Sequence, residues 1–143
     1  GLITTLGNNL IANNNFNNNL VTTLGNILTN RMEVLYEYNT ALIAIPQADL
    51  IKYDVKVGDT EGLVNYPLSI KGIKLAVIII DRGEERKSSF RSKGDFDVNT
   101  FARKYFNGGG HYNAAGGFNK ETLEEVVVKL KVAIKENAEQ LSS

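Results

Sequence analysis

The residues best suited to chemistry lie in one stretch, Asn107–Gly117, whose sequence is NGGGHYNAAGG. The glycines Gly108, Gly109 and Gly110 can reach backbone angles closed to other residues, and no side chain covers their amides. Such a turn can present several N–H groups to one anion. His111 is the only histidine in the protein, so imidazole chemistry would happen there. On these residues alone, the stretch fits either a phosphate-binding loop or a tight glycine turn with a surface histidine.

Basic residues precede this stretch. The whole chain carries 16 basic and 16 acidic residues, but Arg86 to Lys104 contains six cations against two aspartates. The forked guanidinium of Arg91 could bind a phosphate, and Ser92 could add a hydroxyl contact. This local excess suits a small phosphorylated ligand better than long duplex DNA, and its alternative is an ordinary solvated face. Small residues at 114–117 would let a ligand or another backbone approach closely.

Short apolar runs predict the strands that must position these residues. Residues 40–45 form one such run, ended by Pro46, and residues 73–81 form another that is apolar on both faces and therefore central in a sheet. After a turn at Gly83, residues 86–91 are predicted to form the hairpin partner. Its alternation places two sets of side chains on opposite faces, namely Lys87, Ser89 and Arg91 against Ser88, Phe90 and Ser92.

Capping signals predict the helices. A short helix is expected over 47–53, and another after a cap at Asp59 or Thr60, shortened or kinked by Pro67. Asp97 should cap a helix through Phe106. Thr122 and Glu125 form a capping box before an apolar stripe that continues to the end of the chain. The sequence therefore predicts an α/β fold, a single layered domain with a central mixed β-sheet flanked by helices.

The first thirty residues differ from the rest, with ten asparagines and no charge before Arg31. Leu2–Asn8 is repeated with small changes as Leu20–Asn26, and a helix is expected over about 18–30. We therefore divide the chain into a connector helix with an Asn-rich lead-in, residues 1–31, and a domain, residues 32–143. With no cysteine, no apolar run long enough to span a bilayer and no signal-like start, the sequence predicts a cytoplasmic protein without a membrane partner.

The pattern G-G-G-H-x-x-A-A-G, preceded by Ser89–Ser92 and Asp97–Asn99, resembles the DHH-associated domain, the C-terminal substrate-binding domain of the DHH phosphoesterase superfamily. The stretch Asp59–Asn65 is similar to the oligoribonuclease and pAp-phosphatase branch, where pAp is 3′-phosphoadenosine 5′-phosphate. The resemblance covers roughly residues 32–141.

The resemblance implies an N-terminal DHH domain that holds two manganese ions, over which the domain seen here closes. It assigns His111 as the catalytic residue that contacts the substrate phosphate. Arg91 would anchor the nucleotide, and Gly108, Gly109 and Gly110 would shape the loop. The implied substrates are short single-stranded oligoribonucleotides cut to mononucleotides, and pAp.

The sequence departs from the superfamily in having no Asp-His-His tripeptide and no second histidine. A two-metal centre needs several such ligands, so we predict no metal in this chain and no hydrolysis by it alone. An interface that lacks its partner domain could form a homodimer. Alternative hypotheses are a tRNA-binding module related to the alanyl-tRNA synthetase C-terminal domain, the substrate domain of a cyclic-dinucleotide phosphodiesterase or single-strand exonuclease, and a stand-alone nucleotide sensor.

Overall fold

A six-stranded mixed sheet forms the centre of the computed structural model, which describes residues 22, 25–53, 55 and 57–142, with only the backbone of residues 57–61. In chain order the strands are β1 (Met32–Leu35), β2 (Thr40–Ile45), β3 (Leu75–Asp81), β4 (Arg86–Ser92), β5 (Gly109–His111) and β6 (Ala114–Asn119). Their spatial order is β1-β2-β3-β4-β6-β5. Strands β2 and β3 are parallel, and the other neighbouring pairs are antiparallel.

Helices pack on both sides of this sheet. They are α1 (residues 25–31), α2 (Gln47–Lys52), α3 (Val57–Leu68), α4 (Val98–Tyr105), α5 (Leu123–Glu136) and α6 (Ala138–Ser142), with a 3-10 turn at Tyr36–Tyr38. The predicted α/β class, with a mixed sheet between helices, is confirmed. In the part of the chain that the structure describes, no helix is long and apolar enough to cross a membrane.

The two faces of the sheet carry two separate cores. On one side, which we call the core face, α4, α5 and α6 pack over side chains of β2, β3, β4 and β6, including Val77 and Phe90. On the other side, which we call the open face, α1, α2 and α3 pack over β2 and β3, around Ile43 and Ile78. The open-face side chains of β4, β6 and β5 belong to neither of these two cores of the described residues.

The apolar side chains of β2 and β3 explain why these two strands lie in the middle of the sheet. β2 lies where the sequence predicted it, and β3 begins two residues later than the predicted run at 73. Burying β3 on both faces removes its side chains from water, which stabilises the fold by roughly 1.5–3 kcal/mol for each large aliphatic side chain. The predicted hairpin partner is confirmed as β4, with Ser88, Phe90 and Ser92 buried in alternation with more exposed neighbours.

Two predicted helix caps are confirmed. The carboxylate of Asp97 accepts a hydrogen bond from the Thr100 amide at 3.1 Å, and α4 begins at Val98. The Thr122 hydroxyl accepts one from the Glu125 amide at 3.2 Å, at the start of α5. The apolar stripe predicted to run to the chain end is interrupted at Asn137, whose side-chain amide donates to the Ala133 carbonyl at 2.8 Å.

The predicted cap of α3 is wrong. The helix begins at Val57, so Asp59 and Thr60 lie inside its first turn. Pro67 lies in the last turn, one residue before the helix ends at Leu68, as its missing N–H and bulky ring favour. Most of the repeat, and residues 18–21, 23 and 24 of the helix predicted over 18–30, lie outside the described residues. The boundary between residues 31 and 32 stays a prediction.

Candidate functional site

The glycine stretch is a strand rather than a loop. After α4, Asn107 takes a left-handed conformation with φ 54°, which asparagine tolerates, and its side-chain amide donates to the Phe118 carbonyl at 3.1 Å. Gly108 then passes so close to β6 that a Cβ on it would lie 2.6 Å from the Gly117 Cα. Only a glycine fits there, so Gly108 allows β5 to pair with β6.

The sheet register brings Arg91 and His111 onto one line. Arg91 of β4 pairs with Ala114 of β6, and Ala114 pairs with His111 of β5. Paired residues of neighbouring strands point to the same face, and Arg91 also pairs with Ala76, which belongs to the open-face core. Arg91 and His111 therefore share the open face, two strands apart, with their Cα atoms roughly 10 Å from each other.

The next line of the open face has almost no side chains. Ser89 pairs with Gly116, and Gly116 pairs with Gly109. One line further, Lys87 pairs with Phe118. A depression of about 420 Å³ lies over this region, lined by the five residues just named together with Ile80, Arg82, Glu85, Ser88, Gly108 and Gly117. On the open face, the row of Gly109 and Gly116, which we call the floor, therefore carries no large side chain. The larger side chains of Lys87 and Phe118 lie on one side of it, and those of Arg91 and His111 lie on the other. We call these two pairs the rims.

Hydrogen bonds fix the turn that follows His111. The Tyr112 hydroxyl donates to the Asp95 carbonyl at 2.6 Å, and the Tyr112 carbonyl accepts from the Val98 amide at 2.8 Å. The Asn113 side chain donates to the Ser92 hydroxyl at 2.9 Å. A tyrosine at position 112 can either stack on a base or pack on the domain. Its hydroxyl contact places it on the 92–98 segment, where it helps to hold His111 at the end of β5.

The charged groups of the open face have free hydrogen-bonding capacity. Arg91 is half-buried and donates from Nη1 to the Phe90 carbonyl at 3.0 Å. Among the described residues, no carboxylate pairs with Arg91 or Lys87, and the exposed His111 imidazole has no hydrogen-bond partner. These groups can therefore donate to an anion without first breaking an ion pair. Arg86, from the same basic run, pairs with Asp81 on the core face instead.

Two of the predicted contacts do not lie on this surface. Ser92 is buried on the core face, where its hydroxyl donates to the Phe96 carbonyl at 2.7 Å. The Gly110 amide donates to Oδ1 of Asn99 at 2.8 Å, so it is not available to an anion. The structure corrects both expectations, because Ser92 and Gly110 serve the local fold. Arg91, His111 and Gly109 share the open face, and their role in binding stays a prediction.

The sequence did not identify Asn99 as part of the site. Its Oδ1 accepts from the Gly110 amide and also from Nε of Arg103 at 3.0 Å. Asn99 lies in the first turn of α4, whose start is fixed by Asp97. Hydrogen bonds from the Thr100 hydroxyl and amide hold the pKa of the Asp97 carboxyl below its usual value. The motif Asp97–Asn99 could have signalled this link from α4 to β5.

The two manganese ions implied by the resemblance have no matching ligand set here. Among the described residues, no three histidine, aspartate or glutamate side chains converge on one point. The donors of the open face are cationic or neutral, and such donors bind anions rather than divalent cations. No chemical step in this chain is therefore assigned to a metal.

Comparison with protein families and known proteins gives consistent results. Residues 32–139 match the family model described as the DHHA1 domain. The chain is 31% identical over 105 residues to the bifunctional oligoribonuclease and PAP phosphatase NrnA of Bacillus subtilis (strain 168). That match covers 72% of this chain and 33% of the relative, so the chain spans about one third of the curated relative's length.

Solved structures share the fold. An exopolyphosphatase-related protein from Bacteroides fragilis superposes with a TM-score of 0.83 at 38% identity, covering 87% of this chain and 36% of that one. The pGpG-specific phosphodiesterase PggH from Vibrio cholerae superposes with a TM-score of 0.55 at 13% identity, covering 82% of this chain and 38% of that one. At this low identity, the second likeness concerns the fold alone.

Proposed function

The chain belongs to the DHHA1 domain family, and we propose that it is the nucleotide-binding domain of a phosphoesterase that degrades short oligoribonucleotides, and pAp, to mononucleotides. The observation that carries this proposal is the line formed by Arg91, Ala114 and His111 on the open face. It presents two hydrogen-bond donors, neither paired with a carboxylate among the described residues, beside a depression lined by glycine backbone.

Each side chain has a chemical role in this proposal. The guanidinium of Arg91 donates a forked pair of hydrogen bonds to a nucleotide phosphate. The His111 imidazole donates one to a non-bridging oxygen of the phosphate that is attacked, which stabilises the charge that develops there. The low floor at Gly109 and Gly116 lets the sugar-phosphate backbone approach the sheet closely.

The metal chemistry belongs to another domain in this proposal. In it, a DHH domain supplies the two manganese ions that activate water, and the open face docks against that domain. The chain alone then binds nucleotide weakly and does not hydrolyse it. Without the DHH domain, the same face is available for self-association as a homodimer. The proposed location is the cytoplasm.

The relative from B. subtilis supports the oligoribonuclease and pAp assignment, because its name states both activities and it matches 105 residues of this chain. The open face supports it independently, since donors without carboxylate partners suit small anionic ligands. A floor without side chains suits a flexible single strand better than a duplex, which offers a stiffer and wider backbone.

Titration calorimetry with pAp and a diribonucleotide tests the proposal. The wild-type chain should bind both weakly, and Arg91→Ala and His111→Ala should each lower affinity at least about tenfold, as expected for charge-assisted hydrogen bonds. Lys135→Ala, an exposed cation on α5 on the far side of the sheet, is the control and should bind like wild type. Equal binding by all four proteins contradicts the proposal.

A turnover assay tests the division of labour. The isolated chain with manganese should leave a diribonucleotide intact, whereas the chain joined to a DHH domain should cleave it. Cleavage by the isolated chain at a rate that His111→Ala abolishes would show that the chain carries its own catalytic centre.

A further inference from the structure

Phe118 is an exposed aromatic residue on the same face of the sheet as Arg91 and His111, the residues proposed to bind phosphate. Its side chain keeps 43% of its surface exposed, whereas the phenylalanines of β4 and α4 are buried in the core. It belongs to neither core cluster, and no other aromatic ring of the described residues packs against it. The fold therefore gains little from this ring, and its exposure needs another reason.

Phe118 lines the same depression as Lys87. Phe118 pairs with Lys87, which in turn pairs with Ile80 of the open-face core, so all three point to the open face. Phe118 and Lys87 line the depression of about 420 Å³ together with Gly108 and Gly109. Along β6, Phe118 lies four positions after Ala114, which corresponds to roughly 13 Å.

The backbone at Phe118 is held on both sides. Its amide donates to the Phe106 carbonyl at 2.9 Å, and its carbonyl accepts from the Asn107 side chain at 3.1 Å. The ring thus projects from a backbone position that hydrogen bonds hold on both sides. A rigidly mounted aromatic ring next to a cation is a typical platform for a nucleobase, because every base has a π-face that can stack.

We propose that Phe118 is a specificity-determining residue of the site, on which a nucleobase of the substrate stacks while its phosphate binds at Arg91 and His111. This inference rests on the proposed function and adds to it a substrate class, namely phosphates that carry a base. Lys87 provides charge at the same rim and binds phosphate regardless of the base. The Phe118 ring therefore favours phosphates that carry a base, whereas Lys87 does not distinguish them from phosphates without one.

Paired ligands with and without a base test this inference. Adenosine 5′-monophosphate and the diribonucleotide pApA carry bases, whereas ribose 5-phosphate and tripolyphosphate do not. Phe118→Leu keeps apolar bulk but removes the ring, and should weaken the first pair by roughly tenfold while leaving the second pair unchanged. Lys87→Ala should weaken both pairs. Tyr36→Ala removes a ring that is 84% exposed beside the opposite edge of the sheet, and should change neither.

A spectroscopic variant gives an independent readout. The protein contains no tryptophan, so Phe118→Trp introduces a single indole at the proposed stacking position. Its fluorescence should be quenched in a saturable way by adenosine 5′-monophosphate and not by ribose 5-phosphate. Circular dichroism of both Phe118 variants should match that of wild type.

The outcomes separate the two levels of the proposal. If Arg91→Ala removes nucleotide binding while Phe118→Leu leaves it unchanged and adenosine 5′-monophosphate does not quench the fluorescence of Phe118→Trp, nucleotide binding at Arg91 and His111 stands and the stacking role is overturned. A loss of affinity at Phe118→Leu that is equal for ligands with and without a base also overturns it. If wild type binds none of the four ligands, the proposed function and this inference fall together.

Discussion

The backbone amide of Gly110 lies 2.8 Å from Oδ1 of Asn99, so a side chain of α4 holds a strand at the edge of the sheet. Within the described part of the chain, strand β5 has β6 on one side and no strand on the other. An edge strand normally leaves half of its amides without a partner in the sheet. Asn99 provides one such partner, and the same oxygen accepts from Arg103. The position of His111, one residue later, depends on this link.

Removing the Asn99 oxygen should loosen β5. Asn99→Leu leaves the Gly110 amide without its acceptor, and we expect a loss of about 0.5–1.5 kcal/mol in the free energy of unfolding. Amide hydrogen exchange measured by NMR should speed up at Gly110. Asn99→Asp retains an acceptor at this position and should keep the amide protected. If exchange at Gly110 were the same in Asn99→Leu as in wild type, the hydrogen bond would have no positioning role.

Glycines at two positions should respond in opposite ways to alanine. A Cβ at Gly108 would overlap the Gly116 carbonyl oxygen and lie 2.6 Å from the Gly117 Cα, so Gly108→Ala must push β5 away from β6. We expect a loss of about 1–3 kcal/mol, the usual cost of overpacking. At Gly62, within α3, a Cβ would meet no described atom within 4 Å, and Gly62→Ala should stabilise by about 0.5–1 kcal/mol. Urea denaturation of both variants measures the contrast, and a stable Gly108→Ala would refute the close approach.

Two buried serines of β4 form a matched pair. The Ser92 hydroxyl donates to the Phe96 carbonyl at 2.7 Å and accepts from Asn113, so Ser92→Ala should cost about 1–2 kcal/mol. The buried Ser88 hydroxyl has no hydrogen-bond partner among the described residues. Ser88→Ala removes an unsatisfied polar group and should leave stability unchanged or raise it by up to about 1 kcal/mol. Thermal denaturation should therefore give a lower melting temperature than wild type for Ser92→Ala and an equal or higher one for Ser88→Ala. Equal losses in the two variants would contradict this expectation.

The cap of α4 should make part of the stability sensitive to acid. Hydrogen bonds from Thr100 lower the pKa of Asp97 in the folded state. A group with a lowered folded pKa stabilises the fold above its unfolded pKa, near 3.9, and loses this effect as the pH falls through the folded pKa. Urea denaturation between about pH 5 and pH 2 should thus show a smaller acid-induced loss in Asp97→Asn than in wild type.

The Thr100 hydroxyl, which donates a hydrogen bond to Asp97, allows a control experiment. Thr100→Val removes the hydroxyl that donates to Asp97. The pKa of the Asp97 carboxyl should therefore rise toward its usual value. NMR titration of the Asp97 carboxyl carbon measures this pKa in both proteins. An unchanged pKa in Thr100→Val would assign the shift to another cause.

The sequence predicted the strands that bury apolar side chains and missed those that do not. Strands β2 and β3 read as apolar runs, and β4 alternates clearly. Strands β5 and β6 consist largely of glycine and alanine, which have low strand propensity. They form because glycine permits the close approach of Gly108 to β6, and this tertiary contact leaves no local pattern in the sequence.

The absence of a local sequence signal for tertiary contacts also explains which residues of the candidate site could be predicted. The line from Arg91 to His111 requires β6 to lie between β4 and β5, an order that no local signal gives. The motif-based contact at Ser92 conflicts with the alternation of β4, which already placed Ser92 on the face opposite to Arg91. The period of the strand was the better guide there. The roles of Arg91 and His111 stay predictions until binding is measured.

The division of β4 and β6 into a core face and an open face has a consequence for how such domains diversify. Phe90 and Ala115 bury the core face of these strands, whereas Arg91, Ala114 and Phe118 stand on the other side. A change of residue on the open face removes few packing contacts, so the chemistry of that face can change without loss of the folded state. One side of these two strands therefore maintains the fold, while the other side can vary between members of such a family.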